Sequence, residues 1–166
     1  MKTLATLIAL GLTLAATAPA ATAQTAAATP TAPAPPYGAP IGLEAAQTLI
    51  NRAVAYGQTK GWRLAIAIVE PSGELVAFAR MDDTQYGSIY VAQKKAETAA
   101  RYRVTTALME ERTLAGRLVT LANEDSLPIA GGIPIVIDGR IVGAIGVSGA
   151  SAAQDAEVAA AALAGN

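Results

Sequence analysis

The sequence contains no histidine and no cysteine among its 166 residues. The lack of imidazole excludes Ser-His-Asp and Cys-His triads, and the lack of thiols excludes disulfides and thiol redox chemistry. A Ser-Lys pair is the nucleophilic arrangement that remains, and Ser88 with Lys94 or Lys95 offers the residue types for it. We prefer a simpler interpretation, in which Ser88 caps a helix and the two lysines face water or pair with Glu97.

Charged side chains gather where the first predicted β-hairpin ends. Asp82 and Asp83 follow a strand directly. Paired carboxylates can bind a hard cation, but loop carboxylates are usually solvated and no EF-hand spacing is present, so we predict no metal site. An enzymatic hypothesis places Arg80, Asp82 and Lys95 around one pocket, where the guanidinium binds a small oxygenated acid and Asp82 or Lys95 moves a proton. This hypothesis requires Lys95 to point towards Asp82.

Glycine-rich turns bracket the second predicted hairpin. Gly131-Gly132 precedes it, and Ser148-Gly149-Ala150-Ser151 follows it. Backbone N–H groups at a turn before a helix can bind an anion such as a carboxylate. The S-x-x-Q pattern from Ser151 to Gln154 predicts a capping box that uses some of those N–H groups. Turn geometry alone therefore accounts for the glycines, although the anion-binding alternative stays open.

Hydrophobic periodicity predicts the elements that must position these residues. The dipeptide Asp138-Gly139 is typical of a type I′ turn between two paired strands. The resulting prediction is an α+β fold (an α/β sandwich), with an antiparallel sheet built from two β-hairpins and flanked by helices. The predicted elements are a helix from residue 43, strands at 63–70 and 74–80, helices at 89–103 and 107–121, strands at 133–137 and 140–147, and a helix from 151 to 164.

Three segments of different composition define the domain organisation. Residues 1–23 are predicted to be a signal peptide, because a short apolar run follows Lys2 and ends in Ala21-Thr22-Ala23, the small-residue pattern of a cleavage site. Residues 24–40 are rich in Ala, Thr and Pro and read as an extended linker that cannot join a β-ladder. Residues 41–166 form the folded domain. We therefore expect a periplasmic or secreted protein with cleavage after Ala23 and no membrane span afterwards. The formal net charge of −1 argues against a nucleic-acid partner.

Four stretches of the domain together resemble the HbpS/GlcG-like haem-binding family, which is related to the C-terminal domain of PduO-type proteins. The resemblance covers about residues 43–163. It implies an α/β sandwich, assembly into dimers or larger homo-oligomers, and haem or another tetrapyrrole as the ligand of some members. The stretches are Arg80-Met81-Asp82-Asp83 with Gly87-Ser88, Lys95 to Ala100, Gly131 to Ile135 with Asp138-Gly139, and Val142 to Gly149 with Gln154-Asp155.

The sequence departs from this family pattern at the iron ligand. Family members that use an imidazole ligand are no model here, since the sequence has none, whereas members that use a hydroxyl or place haem between subunits remain models. Ala130 also stands where many relatives carry a carboxylate before the Gly-Gly pair, which puts an acid–base role at this position in doubt. The candidate iron-facing side chains are Met81, Tyr86, Tyr90, Tyr102, Thr105 and Thr106.

The function predicted from these features is that of an exported, homo-oligomeric accessory protein that binds haem or another small organic ligand. The enzyme hypothesis above and an oligomeric scaffold without a ligand are the alternatives. The predicted ligand-binding residues are Arg80, Asp82, Ser88, Lys95, Thr105, Thr106, Gly131, Gly132 and Ser148.

Overall fold

The computed structural model describes residues 33–164, and within them it shows one four-stranded antiparallel sheet with helices on both faces. The two hairpins join because β1 also pairs with β4, which gives the strand order β2-β1-β4-β3. The predicted fold class is therefore confirmed. The elements are α1 (Leu43–Lys60), β1 (Ala65–Val69), β2 (Leu75–Arg80), α2 (Gly87–Tyr102), α3 (Thr106–Leu114), a 3₁₀-helix (Leu118–Ala122), β3 (Gly132–Ile137), β4 (Arg140–Ser148) and α4 (Ala152–Leu163).

The two faces of the sheet are packed by residues of different size. On one face, α1 and α4 cover isoleucines, leucines and valines, including Ile66, Ile68 and Ile145. On the other face, α2 places alanines against the small residues Ala65, Ala67 and Ala144. Small residues on both surfaces allow α2 to lie very close to the sheet.

Gly146 shows how tight this second contact is. A β-carbon at this position would collide with the backbone carbonyl of Ala92, and it would lie 2.6 Å from the backbone nitrogen of Ala96. β4 therefore contains a glycine at this position, despite the weak strand preference of glycine, because a residue with a β-carbon would prevent the helix from approaching so closely. The close approach brings the polar residues of α2 up to the sheet.

Local sequence signals fix most element ends. Gly61 ends α1 in the left-handed conformation, and Ser151 and Gln154 form the predicted capping box at α4. Asp138 and Gly139 have φ values of 50° and 72°, as the type I′ prediction requires.

Two predictions about the helices are wrong. Ser88 does not cap α2: the helix begins at Gly87, two residues before the predicted start, and the Ser88 side chain is fully buried. The predicted helix at 107–121 is divided into α3 and the 3₁₀-helix, because Gly116 adopts a φ of 102° that a right-handed helix does not allow. The break creates a concave surface between the two pieces.

The prediction that the linker cannot join a β-ladder is wrong for its last residues, which hydrogen-bond to β4. The Ile141 N–H donates to the Pro36 carbonyl over 2.9 Å, and the Gly38 N–H donates to the Ile141 carbonyl over 2.8 Å. Pro36 contributes only a carbonyl to this pairing, so its missing donor does not prevent it. The predicted signal peptide and residues 24–32 of the linker lie outside the described residues. Among the helices of residues 33–164, none is long and apolar enough to cross a bilayer.

Candidate functional site

Lys95 forms a buried ion pair that connects the two helical layers. Its ammonium group donates to Asp155 Oδ2 over 2.8 Å and to the Val147 carbonyl over 3.0 Å, and only 1% of the Lys95 side chain is exposed. The second carboxylate oxygen of Asp155 accepts from the Ala150 N–H over 3.0 Å. A β-carbon at Gly131 would lie 2.9 Å from Lys95 Nζ, so this glycine leaves room for the lysine to pass the start of β3.

Burial determines the electrostatics of this pair. Removal from water raises the pKa of the Asp155 carboxyl above its ordinary value, and the hydrogen bond and positive charge of Lys95 offset only part of this rise. Removal of either partner would leave the other charge alone in the interior, which is costly.

Further predicted site residues surround the ion pair and bond to one another. Ser148 and Ser88 have their hydroxyl oxygens 3.2 Å apart, and both side chains are buried. Thr106 is buried beside β3, where its hydroxyl accepts from the Gly132 N–H over 2.8 Å. Within residues 33–164, every buried polar side-chain atom has a partner. The side chains of Ser88, Ser148 and Thr106 therefore hold α2 and α3 against the sheet. Each of them is buried and is not open to a ligand.

The other predicted site residues lie elsewhere. Arg80 and Asp82 line a cavity of about 300 Å³ at the end of β2, and the Arg80 guanidinium lies 5.5 Å from the ring centre of Tyr86. The Lys95 ammonium is instead bound to Asp155 in the interior. The charged cluster of the enzyme hypothesis is therefore not assembled. Thr105 accepts from the Leu108 N–H over 3.3 Å and so caps α3.

A cavity of about 340 Å³ lies between the end of α2, α3 and the 3₁₀-helix. Its walls carry two guanidinium groups and no carboxylate, and among the described residues the side chains of Arg112 and Arg117 have no hydrogen-bond or ion-pair partner. Asn123 Nδ2 donates to the Tyr102 hydroxyl over 2.7 Å at the same wall. We call this the α3 cavity. It is lined by Tyr102, Val104, Met109, Arg112, Arg117, Val119, Thr120 and Asn123.

The sequence-based prediction does not include most residues of the α3 cavity. Tyr102 is among the candidate iron-facing side chains, whereas the prediction of one continuous helix separates Arg112 and Arg117 by five residues and so puts them on different faces. The useful signal is Gly116, which lies between the two arginines and ends the helical pattern.

Comparison with known proteins supports a family assignment. A family model described as "Haem degrading protein HbpS-like" matches residues 41–164. Protein GlcG of Escherichia coli K12 is 40% identical over 105 residues, which are 63% of this chain and 78% of GlcG.

Two solved structures share the fold. A crystal structure of a double mutant of Streptomyces reticuli HbpS aligns with a TM-score of 0.72 and 30% identity, over 83% of this chain and 97% of that one. The crystal structure of a PduOC:heme complex aligns with a TM-score of 0.69 and 26% identity, over 75% and 94%. Because these structures share the fold and the family model spans the domain, this chain belongs to the HbpS-like family.

Proposed function

We propose that this protein is an exported accessory protein that binds haem, or another small organic acid with an apolar body, in the α3 cavity. The observation that carries the proposal is the pair of unpartnered guanidinium groups, Arg112 and Arg117, on the wall of an otherwise largely apolar cavity within the described residues. Arginine binds carboxylates through paired hydrogen bonds, and an acid group would supply the partners that these side chains lack.

The remaining walls suit the body of such a ligand. Val104, Met109 and Val119 offer apolar contact, while Thr120 and Asn123 offer polar atoms that can orient a ligand. A volume of about 340 Å³ lies at the lower end of ligand pockets, so a ligand as large as haem would extend beyond the cavity. The two elements that form the cavity, α3 and the 3₁₀-helix, also carry the exposed apolar side chains Leu114, Leu118 and Leu121, which such an extension could contact.

The donor atoms present are compatible with haem. Although the sequence offers no imidazole or thiolate, tyrosine and methionine side chains also ligate haem iron in proteins, and Tyr102 and Met109 both line the α3 cavity. The bound haem would supply iron redox chemistry, whereas this chain would bind and orient it through Arg112 and Arg117. The haem named in the description of the family, and the haem of the similar PduOC:heme complex, support this choice of ligand.

Export and self-association are parts of the same proposal. Export is supported by the N-terminal sequence, in which Lys2 is followed by an apolar run and by the pattern Ala21-Thr22-Ala23. Self-association is supported by the exposed apolar side chains of the 3₁₀-helix, which include Leu118 and Leu121.

Titration of haemin into the purified protein, followed at the Soret band, tests the proposal. We expect saturable binding that weakens about tenfold or more, equivalent to about 1.4 kcal/mol or more, in the variant R112Q/R117Q. R80Q is the matched control, because Arg80 lines a different cavity. No saturable Soret change would remove haem from the proposal, and loss of binding in R80Q alone would move the site to the cavity at the end of β2.

A further inference from the structure

We infer that Tyr102 is the residue whose phenol oxygen ligates the iron when haem occupies the α3 cavity. The inference rests on the proposed function and deepens it, since it names the ligand that replaces histidine. On binding, the Tyr102 hydroxyl loses its proton to solvent and its oxygen becomes an anionic donor to ferric iron.

The placement of the other candidate side chains removes them one by one. Thr106 is fully buried and hydrogen-bonded to Gly132, and the Thr105 hydroxyl caps α3. Met81 packs in the apolar core beneath α1 and α4, and it lines the cavity at the end of β2 rather than the α3 cavity. None of these three side chains lines the α3 cavity, and the two threonine hydroxyls are already engaged in hydrogen bonds of the fold.

The two other candidate tyrosines are exposed but distant. Tyr86 immediately precedes α2 and Tyr90 lies in its first turn, whereas Tyr102 is its last residue. At a rise of 1.5 Å per residue, about 24 Å separate the first of these tyrosines from Tyr102 along the helix axis. Neither Tyr86 nor Tyr90 lines the α3 cavity.

Tyr102 is held in a position suited to a metal ligand. The Asn123 amide donates to its oxygen, and Asn123 Oδ1 in turn accepts from the Asp125 N–H over 3.1 Å, which fixes the direction of the amide. The phenol oxygen thus accepts from a fixed donor and keeps its own O–H free to be released. Tyr102 is 41% exposed, so an incoming ligand reaches it without unfolding.

The positive charge of the α3 cavity is complementary to the negative charge of haem ligated by a phenolate. A phenolate ligand and the two propionates of haem are all anionic, and they would enter a cavity whose charged side chains are Arg112 and Arg117. Met109 is the competing donor on the same wall, but it is neutral and nearly buried, so it compensates neither guanidinium.

The decisive experiment compares haemin with metal-free protoporphyrin IX, since only haemin carries iron. Both are titrated into the purified protein and into Y102F, M109L and the control Y90F, which removes an exposed phenol from the same helix. We expect Y102F to bind haemin about tenfold or more weakly and to bind protoporphyrin IX as the unmodified protein does. The ferric complex of the unmodified protein should show a phenolate-to-iron charge-transfer band that is absent in Y102F and unchanged in M109L and Y90F.

The outcomes separate this inference from the function on which it rests. If the unmodified protein binds neither compound, the proposed function fails. If both compounds bind and Y102F leaves the haemin affinity and spectrum unchanged, ring binding stands and the assignment of Tyr102 is overturned. If M109L rather than Y102F loses the spectrum of the ferric complex, the iron ligand is the Met109 thioether and not the Tyr102 phenol.

Discussion

The buried pair of Lys95 and Asp155 predicts a large loss of stability when only one partner is removed. In K95M the methionine retains most of the side-chain volume but leaves the Asp155 carboxylate and the Val147 carbonyl without their donor. Loss of one partner of a buried ion pair costs about 3–5 kcal/mol, because the remaining charge is buried alone. At about 4 °C per kcal/mol for a domain of this size, the melting temperature should fall by about 12–20 °C.

A second ion pair provides the matched control. Lys60 contacts Glu157 over 2.9 Å, nearly the distance of the buried pair, but both side chains are about 40% exposed. K60M should therefore change the free energy of unfolding far less than K95M, since water screens the exposed charges. Urea denaturation of both variants, followed by far-ultraviolet circular dichroism at pH 7, measures this difference.

The double variant K95M/D155N tests whether an uncompensated charge is the cause. Asparagine still accepts from the Ala150 N–H and leaves no charge in the interior, so the double variant should be more stable than K95M alone. The reasoning is refuted if K95M is no more destabilising than K60M, or if the double variant loses the sum of the two single losses.

Three further predictions concern acidity, packing and assembly. Because folding raises the pKa of Asp155, the stabilising contribution of this group is fully present below the unfolded pKa of about 3.9 and is lost as the pH rises through the folded pKa. Urea denaturation above pH 4 should therefore show the unmodified protein losing stability relative to D155N as the pH rises. A gain in stability relative to D155N would contradict this. G146A should cost about 1–3 kcal/mol by thermal denaturation because its methyl group meets the α2 backbone, whereas G42A, with open space around it, should cost much less. If the 3₁₀-helix carries the oligomer contact, L118D should lower the mass measured by light scattering, and an unchanged mass would exclude that surface.

The local elements of this domain were predictable because short-range chemistry determines them. Glycine and aspartate in turns, capping side chains and hydrophobic periodicity act within a few residues, so the two hairpins, α1 and α4 followed from the sequence. The division at Gly116 was missed because an isolated glycine costs a helix only about 1 kcal/mol and therefore does not identify a break by itself.

The candidate site was harder to predict because it depends on which elements become neighbours. Ser88 and Lys95 have the residue types of a reactive pair, yet the closeness of α2 to the sheet buries both. Arg112 and Arg117 have the character of ordinary surface arginines in the sequence. Only the turn between α3 and the 3₁₀-helix brings them to one cavity with Tyr102.

The sequence by itself determined the chemistry that is possible: without imidazole or thiol, any metal-binding or acid-binding role falls to phenol, hydroxyl, thioether, guanidinium, ammonium, carboxyl and backbone groups. It also determined the α+β sandwich, through alternation in the strands and alanine-rich helix faces. The tertiary structure decided which polar groups stabilise the fold and which stay open to a ligand. The physical reason is burial, since a charge such as Lys95 must be paired inside the domain, whereas the guanidiniums at the α3 cavity remain in water until an acid arrives.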